Sequence, residues 1–366
     1  MKILKFLGGD DYGGQFICEC QFITHWREKG IQVDAYILGK GRAFEKYKSI
    51  VTNWYELPEI NAEFGGGLKK IVSGIFESYV YVRRIQKQLV LNDSYDAVIY
   101  RSQSYLYLAA FVAQTINSKA YWHLPNSVNR VFSKLYYNIA LRLKGVIPIA
   151  NSRYTKNSLG RICTHVVYPG FNMSRVKVSN PIFRLNYSIN QQAIVFGTAA
   201  RLHPTKAQDL LIEAFIKSDL YKKGAHLLIA GISVDDDFKY KCEALAKGYE
   251  NYIHFLGNVD DMASFYSSID VYVNSRIDAE PFGISIAEAL GACKPVIAYY
   301  EGGPSEMIEN RLNGILIYKS TIEQYLEALL NVHKNINSFK KELIKETSLK
   351  LKYTVNANKF ISIIKV

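Results

Sequence analysis

Short runs of β-branched, aliphatic and aromatic residues alternate with longer stretches in which apolar positions recur every three or four residues, and this alternation is kept up along most of the chain. Runs at 3–7, 32–38, 97–100, 119–122, 146–149 and 165–168 predict strands, most of them followed by a helix. A polar segment at 179–192 interrupts the series. A second one then begins, with strands expected at 193–197, 225–230, 252–256, 271–274 and 295–298. Strand and helix in strict alternation predict parallel sheets covered by helices on both faces. Two such series predict an α/β protein of two doubly wound, Rossmann-like domains, 1–182 and 183–345, with a helical stretch at 346–366 packing back on the first. Doubly wound sheets bind ligands beyond the carboxyl ends of their strands. The expected site therefore lies in a cleft across which the two domains face each other.

Length and composition agree with this division. A chain of 366 residues has room for two domains of ordinary size, and 49% hydrophobic residues is the content of a globular protein. No apolar run approaches the roughly 18 residues of a spanning helix. Residues 1–7 carry Lys2 and Lys5 inside a short apolar run that enters Gly8-Gly9-Asp10, which predicts a first strand and not a signal peptide. Five scattered cysteines without a Cys-x-x-Cys pair imply a reduced, cytoplasmic setting and no zinc site. Charge is lopsided: residues 1–185 hold 25 Lys and Arg against 12 Asp and Glu, while the remainder is nearly neutral. Between Asp96 and Asp209 there are 14 basic residues and no acidic one. Such a surface is either simply solvated or drawn to an anionic membrane on its cytoplasmic face. Nucleic acid is not expected, because no helix-turn-helix, zinc-finger or RNA-recognition pattern is present.

Chemistry concentrates in a few loops. Glu280 and Glu288 stand eight residues apart in Glu280-Pro281-Phe282-Gly283-Ile284-Ser285-Ile286-Ala287-Glu288, which predicts a loop opening a buried helix. One carboxylate then sits before the helix and the other more than a turn inside it, a placement suited to two separate sets of sugar hydroxyls. Arg201 and Lys206 flank a Pro-containing loop at a strand's carboxyl end, where a guanidinium fork and a compact ammonium could clamp a diphosphate, or could be an ordinary solvated loop. Gly13-Gly14 opens a helix after the first strand. That suits an anion at a helix N-terminus or merely a tight turn, and its spacing matches neither dinucleotide nor ATP fingerprints. His123 ends a strand in a position expected to aim it at the cleft. Asp235-Asp236-Asp237 reads as a helix cap in preference to a metal site. Gly302-Gly303 could lend backbone amides to a ligand or form a turn.

Taken in order, Arg201 to Lys206, Leu211 to Phe215, His254 to Gly257, Glu280 to Glu288, Cys293 to Ala298 and Gly302-Gly303 resemble glycosyltransferase family 4, the group 1 glycosyltransferases of the GT-B fold. The likeness is looser before residue 183, resting on Gly13-Gly14, His123, Ala150-Asn151-Ser152 and Tyr168 to Asn172. It implies a retaining, metal-independent transferase with no cofactor, whose donor is a nucleotide-diphosphate sugar linked to UDP or GDP. The acceptor would be a glycan or a lipid-linked molecule in polysaccharide or lipopolysaccharide biosynthesis. On matching positions Arg201 and Lys206 would hold the diphosphate, Glu288 the ribose, and Glu280 the transferred sugar. Backbone at Phe282, Gly283, Ile284, Gly13 and Gly14 would touch sugar and phosphates, Val259 would border the base, and His123 would face the reacting carbon. Ala200 departs from the family's usual glycine. Two other readings use the same scaffold: a sugar-nucleotide epimerase, and a non-catalytic glycan- or nucleotide-binding module.

Overall fold

The computed structural model of the chain describes residues 1–11, 13–60, 68–88 and 94–365. Tyr12 of the first glycine loop lies outside them, as does Val366. Two compact units emerge, Met1–Pro169 with Tyr353–Val366, and Gly170–Lys352.

The first unit holds a seven-stranded parallel sheet in the order β3-β2-β1-β4-β5-β6-β7. Its strands are β1 (Lys2–Gly8), β2 (Gln32–Leu38), β3 (Trp54–Leu57), β4 (Ala97–Tyr100), β5 (Lys119–Leu124), β6 (Val146–Ala150) and β7 (His165–Val166). The central strands are buried on both faces, which is why they read as continuous apolar runs with no alternation. Helices Leu68–Gln88, Leu106–Thr115 and Val131–Lys144 cover one face, around Tyr100, Leu106, Trp122 and Leu141. Helices Gly13–Glu28 and Tyr353–Ile364 cover the other, where Phe22 and Trp26 pack on Phe360 and Trp26 Nε1 donates to the Ala357 carbonyl at 3.0 Å.

One polar cluster is buried in this unit. Lys5 of β1 pairs with Glu19 of helix Gly13–Glu28, and Arg101, just past β4, stands 3.7 Å from the same carboxylate. All three side chains are at most 6% exposed. The carboxylate thus ties the helix to the two strands at which the strand order reverses.

The second unit holds a six-stranded parallel sheet in the order β10-β9-β8-β11-β12-β13. The strands are β8 (Val195–Ala199), β9 (His226–Ala230), β10 (Ile253–Gly257), β11 (Val271–Asn274), β12 (Val296–Tyr299) and β13 (Gly314–Ile317). Its strand order reverses between β8 and β11.

Several expectations need correction. Residues 170–182 belong with the second unit, because Phe171 N bonds to the Leu351 carbonyl at 3.0 Å and its ring fills the space beside Gly291. The boundary therefore falls at 169/170 and not at 182/183, and the chain rejoins the first unit at Tyr353. Strands β3 and β13 were not anticipated. Both are four residues long, and β3 is a partly exposed edge whose polar Glu56 breaks the apolar run.

Candidate functional site

The switch point of the second sheet gathers most of the predicted donor-side residues. Beyond β8, His203 caps a one-turn helix, Pro204–Lys206, by accepting from Thr205 N, and Ala207 takes a left-handed conformation (φ 47°) that turns the chain into helix Gln208–Lys217. Gln208 Nε2 donates to the Arg201 carbonyl at 3.0 Å, and Ser275 Oγ, just past β11, donates to the Lys206 carbonyl at 2.7 Å. Loops from two neighbouring strands are thereby locked together. The Lys206 ammonium then meets Glu280 Oε2 at 3.1 Å, and the same oxygen accepts from Arg276 Nη1 at 3.2 Å. Arg276 also pairs with Asp278; burial pulls its pKa down, and the two carboxylates outweigh that and leave it above the usual value. Lys206, Arg276 and Glu280 keep between 16% and 21% of their side chains exposed, so a ligand can reach all three.

The backbone of Glu280 is clamped by the loop after β12. Its amide donates to the Glu301 carbonyl at 3.3 Å, and its carbonyl accepts from Gly303 N at 2.7 Å. Gly302 (φ 99°) can take no side chain: a Cβ would lie 2.1 Å from the Glu280 carbonyl oxygen. The Gly303 amide is thus spent on Glu280 and is not offered to a ligand, a correction to one reading of that loop. Phe282 is 3% exposed and anchors the turn, Gly283 (φ 93°) is the N-cap of helix Ile284–Gly291, and Val259 is half-buried just past β10. Arg201 is exposed at the start of the Lys206 loop.

Residues 180–348 match the sequence family described as glycosyl transferases group 1. These residues, just under half of the chain, are similar to the group 1 glycosyltransferases. An uncharacterized glycosyltransferase of Methanocaldococcus jannaschii is 34% identical over 139 residues, 37% of this chain and 35% of its own length. The alpha-monoglucosyldiacylglycerol synthase of Acholeplasma laidlawii is 25% identical over 243 residues, 59% of each chain. This chain therefore spans between a third and three fifths of the length of these curated relatives. Among solved structures, Anabaena HepE in complex with UDP superposes over 100% of both chains with a TM-score of 0.80 at 19% identity, and the fold is that of GT-B glycosyltransferases.

Within the matched residues Glu288 is set apart from Glu280. It is 2% exposed; Oε1 accepts from Arg175 Nε at 2.6 Å and Oε2 from the Tyr266 hydroxyl at 3.0 Å. A ribose contact would need Arg175 to swing aside. Asp235 caps helix Asp236–Ala246 by accepting from Phe238 N at 3.0 Å. Among the described residues no three His, Cys, Asp or Glu side chains converge as metal ligands.

Gly13, Gly14 and His123 lie in the first unit. Gly13 (φ 66°) and Gly14 are exposed at the first turn of the 16-residue helix Gly13–Glu28, where a Cβ on Gly13 would meet nothing within 4 Å. His123 sits within β5 and does not project from its end. It is 2% exposed, stacked on Phe22 and edge-on to Phe360, with Nε2 3.0 Å from the Val167 carbonyl oxygen. Burial, with Arg101 and Lys5 nearby, drives its pKa well below the usual value and keeps the ring neutral. Contact with a sugar would require it to leave this aromatic setting.

Sequence reasoning missed Arg276 and Arg175. Arg276 had a local signal, a cation two residues past β11. Arg175 had none, since its partner lies 113 residues away.

Proposed function

We propose that the chain transfers a sugar from a nucleotide-diphosphate donor to a glycan or lipid-linked acceptor, with retention of configuration and without a metal. The observation that carries this reading is the grouping of Lys206, Arg276 and Glu280 at the switch point of a sheet whose domain matches the group 1 glycosyltransferases. A site of two cations and one carboxylate suits a donor: the ammonium and guanidinium face the diphosphate, and the carboxylate is released to a sugar hydroxyl. Arg201, exposed on the same loop, adds a second guanidinium.

Charge grows on the diphosphate as the glycosidic bond breaks, so cations fixed by Ser275 and Gln208 stabilise the transition state more than the ground state. In a retaining transfer the acceptor hydroxyl arrives on the leaving-group face, where a departing phosphate oxygen can take its proton. Glu288 binds the ribose after exchanging Arg175 for it. Gly13 and Gly14 offer amides to the donor, Phe282 to Ile284 border the sugar, Val259 borders the base, and His123 serves as a neutral group near the reacting carbon once it is released. The UDP complex of HepE supports a uridine donor. Similarity to an alpha-monoglucosyldiacylglycerol synthase supports a lipid acceptor.

The test is turnover of UDP-, GDP-, ADP- and CMP-sugars followed by mass spectrometry, with and without lipid and oligosaccharide acceptors. Release of nucleotide with formation of a new glycoside is the expected result. Epimer formed without acceptor would assign the chain to the epimerases, and folded protein inert towards every donor would leave only a binding module.

A further inference from the structure

Helix Val131–Lys144 carries apolar residues on two faces. Tyr137, Ala140 and Leu141 point into the core of the first unit, as they must to hold the helix on the sheet. On the outer side Phe132 is 87% exposed, Leu135 58%, Ile139 51% and Leu143 75%. At 100° per residue these four fall within an arc of roughly 80°, one continuous stripe. A helix that already has its buried face does not need a second one for folding. Four large apolar side chains left in water are unfavourable by the measure that drives burial elsewhere in the protein, and a contiguous patch of this kind marks an interface.

Charge around the stripe says what covers it. Arg130, Lys134, Arg142 and Lys144 lie on this helix or immediately before it, and no Asp or Glu occurs from residue 97 to residue 208. Asn138 Nδ2 donates to the Leu159 carbonyl at 3.2 Å, which sets the Lys134 edge of the stripe beside the end of helix Arg153–Leu159, with Lys156 in that helix and Arg161 just past it. Helix Leu68–Gln88, on the same face of the sheet, repeats the arrangement: Val72, Phe76 and Tyr79 are 58%, 67% and 48% exposed at helical spacing, with exposed Arg83 and Arg84 one turn on. Its one acidic residue, Glu77, accepts a hydrogen bond from Ser73. An exposed apolar stripe edged by cations is complementary to a bilayer of anionic headgroups, in which the side chains enter the acyl boundary and the cations stay among the phosphates. Among the described residues no helix is long and apolar enough to cross a membrane.

We propose that helix Val131–Lys144, joined by the outer face of helix Leu68–Gln88, is a docking surface that lays the first unit on an anionic bilayer. Its use, bringing the protein to a lipid acceptor, rests on the function proposed above; the docking itself can be read separately. Co-sedimentation with vesicles of mixed phosphatidylglycerol and phosphatidylcholine, and of phosphatidylcholine alone, is the measurement. The 366-residue chain should bind the mixed vesicles, and high salt should release it. The combined variant Phe132→Ser, Leu135→Ser, Ile139→Ser and Leu143→Ser should bind at least about tenfold more weakly with an unchanged thermal melt. Lys134→Gln and Arg142→Gln should each lower binding about fivefold. Transfer to a short water-soluble acceptor should be the same in wild type and variants. Stripe-dependent vesicle binding without transfer to any acceptor would remove the function and leave the docking standing. Equal binding by the combined variant, no binding to either vesicle, or a stripe-dependent dimer in ultracentrifugation without vesicle binding would each overturn the proposal.

Discussion

Glu280 Oε2 receives both Lys206 and Arg276, so the three groups act as a unit and removing one changes the others. Replacing Lys206 with Ala removes the charge-assisted contact proposed above for the diphosphate and should lower kcat/KM about tenfold to 150-fold in a donor-saturation assay. Glu280→Ala should lower kcat by two to three orders of magnitude, roughly the loss seen when one preorganised polar group is removed from an active site, while the melting temperature holds. Gly302→Ala is a different kind of change. Its Cβ would sit 2.1 Å from the Glu280 carbonyl oxygen, so Glu280 itself must shift, and both thermal stability and turnover should fall together. Glu280 and Lys206 were legible in the sequence because each lies on a short loop directly after a strand, where position follows from the chain itself. The pairing of Glu288 with Arg175 was not, because it joins segments 113 residues apart. For His123 the strand was legible but the direction of the ring was not: its place among Phe22, Phe360 and Val167 depends on a helix more than 200 residues later.

Two elements of the first sheet owe their seating to a buried carboxylate. Lys5 and Arg101 both face Glu19, and Glu19→Leu would leave two cations at most 6% exposed without a counter-charge. The expected loss is about 3–5 kcal/mol of unfolding free energy, read from urea denaturation. In the second sheet, His226 of β9 and His254 of β10 share one hydrogen bond at 3.1 Å, and Tyr187 stacks on His254. Burial pushes the His254 pKa down to about 4 and lowers that of His226 as well. Both rings are neutral when folded at pH 7, whereas the unfolded chain takes up their protons near the ordinary value of about 6.5. The unfolded state therefore binds more protons, and stability must fall as pH drops from about 7 towards 4. Thermal melts across that range should show a smaller pH-dependent loss in His254→Gln than in wild type. The sequence showed where nearly all of these strands run, since most are continuous apolar runs. It did not show β3 or β13, whose four residues at the edges of their sheets carry too little pattern to stand out from a loop.

Across the molecule, the two units draw on the chain unequally. The second is one continuous segment, and the first is assembled from residues 1–169 and the helix Tyr353–Ile364. Deleting residues 353–366 would strip Phe360 from Phe22 and Trp26 and remove the carbonyl that Trp26 Nε1 bonds. Hydrogen exchange should then rise throughout the first unit, while the second unit keeps its protection. That two domains exist was plain from two strand–helix series. That Phe171 and Leu351 bring the chain's crossings to one place was hidden, because it is a contact between loops with no periodic signature.

The late arrival of that last helix has a consequence during synthesis. A nascent chain leaving the ribosome has made every strand of the first sheet long before residue 353 is added, yet Phe22 and Trp26 lack the Phe360 ring until then. The later domain can close on its own while the earlier one waits half-dressed. Truncated products halted anywhere before that point should therefore be the forms that chaperones hold and proteases clear.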